Sequence, residues 1–152
     1  MVMIIGGIVH IVLVGEGRTV DLGVTRMRVL AHGDVAHGGA FTLAEFAGST
    51  AGPWTVPHLH REMEESFYVL DGEFTFTVGE QPIQALPGTF ILVPRGTSHT
   101  IDAAPGGGRL LTLMVPGGLE HMFFELGELP RNSITDPAVR AAIAARYDSI
   151  PV

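Results

Sequence analysis

An all-β fold, an antiparallel β-barrel or jelly roll with a short C-terminal helical segment, is what this sequence predicts, and three observations carry it. Short runs rich in β-branched and aromatic residues recur along most of the chain, and such residues suit the pleated, half-buried surface of strands. Between them stand many of the 20 glycines and 10 prolines of the 152 residues, so the connections read as turns. There is no βαβ rhythm and no internal repeat, which leaves antiparallel strands packing on one another.

Taken in order, residues 8–14 read as an apolar strand, Gly15-Glu16-Gly17 as its hairpin loop and 19–22 as the return. A short strand at 27–30, a loop from Gly33 to Gly39 and a strand at 41–46 follow. The loop from Gly48 to Pro53 leads into the strand of His58 and His60. Strands at 65–70 and 74–78 are joined by the turn pair Asp71-Gly72, and further strands are expected at 83–85, 89–93, 99–102 and 110–115. The 103–108 loop, with three consecutive glycines, reads as a mobile connection. Beyond Gly118 the period changes: 119–126 suits a short helix, and Asp136-Pro137 is an N-cap with Pro at the first helical position. Val139, Ile143 and Tyr147 then form one apolar stripe, expected to pack on the barrel exterior. The whole, residues 1–152, is read as one domain, a barrel over about 8–118 and a helical extension over 119–152.

Charge narrows the partners. The net charge is −7, and all nine basic residues are arginines, which argues against a nucleic-acid or anionic-membrane footprint. Without cysteine, neither disulfides nor thiol nucleophiles are available, and metal ligands must be His or carboxylate. The apolar first 14 residues lack a basic leader and fall short of the roughly 20 residues that span a bilayer, so a cytoplasmic protein is expected.

Chemistry concentrates at His58-Leu59-His60. Residues two apart on a strand share a face, so both imidazoles can reach one point. Glu65 opens the next strand and returns a carboxylate beside them, with Glu64 as its competitor. His99 restarts the chain after a Pro94-Arg95-Gly96 turn and adds a third imidazole. Such a donor set suits a first-row divalent metal. His10, His32, His37 and His121 have no partner at ligand spacing and read as ordinary histidines.

These residues resemble the two motifs of the cupin superfamily. Gly52, His58, His60, Glu65 and Gly72 fit the first, and Gly88, Pro94, Gly96 and His99 the second, with Ala103 where the family has Asn. The Gly39–Glu45 stretch and Pro116-Gly117-Gly118-Leu119-Glu120 are similar to the single-domain, quercetin-dioxygenase-like group. The resemblance implies one divalent transition metal held by His58, His60, Glu65 and His99, Fe2+ first among Fe2+, Mn2+, Ni2+, Cu2+ and Zn2+, with open positions for water, substrate or O2. It also implies O2-dependent oxidation of an enol or phenol. Non-redox isomerisation, cyclisation or lyase chemistry is the alternative within enzymes, and ligand binding or sensing without turnover the alternative outside them.

Glu45, if its strand turns it inward, is a second catalytic candidate beside Glu65. Parity with the ligands puts Trp54, Val56, Phe67, Val69 and Ile101 on the wall of a substrate pocket. None of these is basic, so a flat, largely neutral small molecule is expected rather than a sugar phosphate or dicarboxylate. An apolar first strand left at an edge invites pairing with a second copy, so a homodimer is expected.

Overall fold

The computed structural model describes residues 2–4, 7–33 and 39–152. His37 lies outside them. The strands are β1 (Val2–Ile4), β2 (Gly7–Val9), β3 (Thr19–Asp21), β4 (Arg26–Ala31), β5 (Thr42–Gly48), β6 (Gly52–Pro53), β7 (His58–Leu59), β8 (Glu64–Val78), β9 (Gln81–Ala85), β10 (Phe90–Val93) and β11 (His99–Val115). Three helices follow, α1 (Glu120–Gly127), α2 (Arg131–Ile134) and α3 (Pro137–Ala144), and then β12 (Ile150–Pro151). β1 and β2 form a ribbon of their own. The main sheet is antiparallel, ordered β10-β8-β11-β5-β4-β3, with β9 on β8, β6 and β7 on β11, and β12 on β7. Its hydrogen-bonded path is not closed.

Alternation explains which side is packed. In β4, Met27 and Val29 point in while Arg26 is exposed, and in β5, Thr42 and Ala44 point in. Phe67, Val69, Phe74, Phe76, Ile101 and Leu110 form one core cluster, and Met27, Met114, Met122, Leu126 and Ile143 belong to a second, shared with the helices. No helix among the described residues is long and apolar enough to cross a membrane.

Three local expectations are corrected. Asp71-Gly72 is not a hairpin turn; β8 runs through it and bends there against β11. Residues 103–108 belong to β11, and their glycines bring backbones together: a Cβ on Gly72 would lie 2.2 Å from the Gly107 carbonyl oxygen, and one on Gly107 2.0 Å from that of Gly48. Only Gly permits such approaches, and both residues also have positive φ. Residues 11–14 form no strand. The chain turns at Leu13–Glu16, where Glu16 N donates to Leu13 O, and leaves Leu13 and Val14 exposed. The expected first strand is therefore reduced to Gly7–Val9, which is paired with β1.

Candidate metal centre

His58 and His99 face each other across the β7–β11 pairing, and Glu65 comes from the start of β8. One ligand atom from each of His58, His60, Glu65 and His99 lies within 4.8 Å of the others. His60, Glu65 and His99 are buried and His58 partly so.

The hydrogen bonds around this cluster decide what it can hold. Nδ1 of His58 donates to Val56 O at 2.8 Å, that of His99 to Thr97 O at 3.2 Å, and that of His60 to Asp148 O. A carbonyl can only accept, so in each neutral imidazole the proton sits on Nδ1 and Nε2 keeps a lone pair. Nε2 of His60 and of His99 then meet Oε2 of Glu65 at 3.1 and 3.2 Å. Lone pairs from imidazoles and a carboxylate converging on one buried point are the donor set of a divalent transition metal, so these residues fit one.

Electrostatics make protons the metal's competitors for this cluster. Burial, reinforced by neighbouring His99, pulls His58 down to about 4, so it is a neutral donor near neutrality. Burial also pulls at His60, but the bond to Glu65 and that carboxylate's charge outweigh it and raise its value. Burial pushes Glu65 up, and the His60 and His99 rings, which in their protonated form donate from Nε2 and carry positive charge, reverse this, holding it well below the carboxylate range; a bound metal would take the place of those protons. Glu64, the competitor, points outward and lies 4.0 Å from Arg95.

Asp148 ties the C-terminal tail to the ligand segment. Its carboxylate accepts from the backbone N–H groups of Arg61, Glu62 and Met63 at 2.8, 2.8 and 3.0 Å, and its carbonyl holds His60. Beyond it, β12 pairs with β7, setting Pro151 opposite His58. Sequence spacing offered no sign of this contact.

The cluster opens on a cavity of about 510 Å³, a size usual for small-molecule sites. Trp54, Val56, Phe67 and Ile101 line it as expected, but Val69 does not; it is packed in the core cluster beside it. The helical extension does not simply pack on the exterior, because Met122 and Phe123 of α1 and Pro137, Arg140, Ala141 and Ala144 of α3 form part of the cavity wall. Their i, i+3, i+4, i+7 spacing in α3 is a second face beside the apolar stripe, and was the signal available in the sequence. Thr112, on the same strand as His99, opposite Phe67 of β8 and in parity with Leu110, lines it too.

Glu45 is placed elsewhere. Thr42 and Ala44 take the inner face of β5, so Glu45 turns outward, 3.3 Å from Arg28 and 3.8 Å from Arg109, and is not on the cavity wall. His10 donates to Leu30 O, and His121 is largely exposed beside Glu120.

Residues 43–116 match the family model described as Cupin domain. A quercetin 2,3-dioxygenase of Bacillus subtilis (strain 168) is 30% identical over 123 residues, covering 81% of this chain and 36% of that enzyme, so the chain spans little more than a third of its relative. Among solved structures, the polyketide cyclase RemF from Streptomyces resistomycificus is similar with a TM-score of 0.61 and 24% identity, over 84% of this chain and 98% of that one. An RmlC-like cupin from Shewanella frigidimarina is similar with a TM-score of 0.62 and 17% identity, over 74% of this chain and 95% of that one. These two likenesses concern the fold. With both motifs standing on the strands that bring their histidines and glutamate together, and the family model matched from β5 through β11, the chain belongs to the cupin superfamily.

Proposed function

We propose that this chain is a metal-dependent cupin enzyme that oxidises a flat, metal-chelating enol or phenol with O2. His58, His60, Glu65 and His99 would hold one divalent transition metal, Fe2+ first, with Mn2+, Ni2+, Cu2+ or Zn2+ as alternatives. The observation that carries the reading is the common Nδ1-to-carbonyl bonding of three histidines, which leaves three Nε2 lone pairs in one cluster and sets those of His60 and His99 against the same buried carboxylate. Bound there, a redox-active ion supplies one-electron chemistry toward O2 and Lewis-acid polarisation of a substrate oxygen. The likeness to a quercetin 2,3-dioxygenase supports the oxidative direction.

The chain's own residues supply the rest. Trp54, Phe67 and Ile101 offer an apolar wall on which a planar ligand packs and from which water is excluded. Glu65 uses only Oε2 toward the two histidines, which leaves Oε1 to accept the proton of a substrate hydroxyl. That second oxygen also favours the alternative reading, isomerisation, cyclisation or lysis without a redox step, since it can move a proton with no oxidant.

An oxygen electrode separates the readings. Metal-loaded protein given a flavonol, a catechol and a polyketide-like enol is expected to consume O2 with one of them, and chelation should stop it. Conversion without O2 uptake would replace the oxidative reading by the non-redox one. Binding of the whole panel without turnover would leave a ligand-binding protein.

A further inference from the structure

Two polar groups on the cavity wall have no sufficient partner among the described residues. The Oγ1 of Thr112 is buried and makes no hydrogen bond among the described residues. An unpartnered buried hydroxyl is destabilising, and Val would fill the same space without that cost. The second group is Arg140. Five other arginines, Arg28, Arg95, Arg109, Arg131 and Arg146, each lie within 4.0 Å of a carboxylate. Arg140, half-buried, has no carboxylate so placed among the described residues; its one hydrogen bond runs from a guanidinium nitrogen to Ile134 O at 3.0 Å.

That single bond caps the end of α2 and accounts for one of five N–H donors. It leaves the charge uncompensated. Burial already lowers the guanidinium's pKa, though arginine stays charged at neutral pH. A positive group partly removed from water and facing a cavity is offset best by an anion within that cavity, and the planar fork matches a carboxylate. The apolar remainder of the wall suits a carbon skeleton rather than a sugar.

We propose that the cavity binds a flat, mostly apolar ligand that carries a carboxylate away from its metal-chelating end, with Arg140 pairing with the carboxylate and Thr112 hydrogen-bonding a ligand oxygen. This rests on the enol or phenol reading for the chelating end, but the anion subsite can be tested apart from it. It departs from the expectation of a neutral ligand because the face of α3 that bears Arg140 completes a wall otherwise built on the barrel strands.

The test is calorimetric, with dihydrocaffeate and its methyl ester as probes of the metal-loaded protein. The acid is expected to bind at least about 10-fold tighter than the ester, a difference of about 1.4 kcal/mol. Arg140→Met should abolish that preference with metal content and ester affinity unchanged, and Arg140→Lys should restore part of it. Thr112→Val should weaken acid and ester by the same factor, roughly 5-fold. In metal-free protein, hydrocinnamate should bind and hydrocinnamyl alcohol should not, with the difference lost in Arg140→Met. Equal affinity for acid and ester in the parent, or a preference that survives Arg140→Met and Arg140→Gln, overturns the proposal. If neither catechol binds the loaded protein while hydrocinnamate still binds through Arg140, the chelating-end reading falls and the anion subsite stands.

Discussion

Glu64 and Glu65 are adjacent carboxylates with opposite surroundings, and strand alternation separates them. Glu65 shares the inner face with Phe67 and Val69, while Glu64 turns out toward Arg95. Glu65→Gln removes the anion from the cluster and is expected to weaken metal affinity at least about 10-fold, with Glu64→Gln unchanged, in a chelator-competition titration. The reverse order would move the ligand to Glu64. His60→Ala and His99→Ala should lose metal while far-UV circular dichroism stays near that of the parent, since the hydrophobic clusters of the barrel remain. The same alternation excludes Glu45 from the cavity. Parity shows that Glu45 travels with Leu43, but which face they take is set by the sheet, where Arg28 stands opposite Glu45 in β4 and Arg109 lies diagonal to it in β11.

At the scale of elements, the tail after α3 acts as a clamp. Four contacts join Asp148 to the 60–63 segment, and β12 adds a strand beside His58. A carboxylate gathering three backbone N–H groups fixes that turn, and with it the His60 ring. Asp148→Ala keeps the carbonyl and loses the carboxylate, so metal affinity should fall about 10–100-fold while β-sheet circular dichroism is retained. Deletion of residues 148–152 removes both contacts and should weaken metal binding further. Unchanged affinity in Asp148→Ala would reduce the clamp to a packing contact. Tyr147 and Arg146 secure the base of the tail by donating to Glu125 of α1.

For the molecule as a whole, Glu120 joins sheet to helices. Fully buried at the start of α1, it accepts from Thr42 Oγ1 at 2.6 Å, Gly118 N at 2.7 Å and Gly33 N at 3.3 Å. Burial pushes its pKa up, but the Thr42 hydroxyl and the backbone donors outweigh this and set it below the usual value. A carboxyl depressed in the folded state stabilises it above the ordinary glutamate range, and that stability is lost as pH falls through the folded value. Glu120→Gln should therefore cost about 1–3 kcal/mol near neutrality and flatten the acid side of the stability curve. Urea unfolding of parent and variant from about pH 7 to about pH 3 measures it. Parallel loss in both proteins would assign the acid sensitivity to other groups.

Most of the strands and the four converging donors were legible in the sequence because they follow from local rules. A period of two sets His58 with His60, turn residues bring Glu65 and His99 back, and Asp136 caps α3 by accepting from Ala138 and Val139 as the Asp-Pro pair predicts. What tertiary structure alone decided involves residues far apart in the chain. Whether Asp71-Gly72 turns or bends depends on Gly107 and Gly108, which lie opposite in β11. Val69 packs in the core because neighbouring side chains fill the space before it. The carbonyl that orients His60 stands 88 residues away at Asp148, and Arg140 reaches the cavity only because the helices fold back across it. Periodicity reports which face of an element is apolar, but which surface that face meets is settled by the packing of the whole chain.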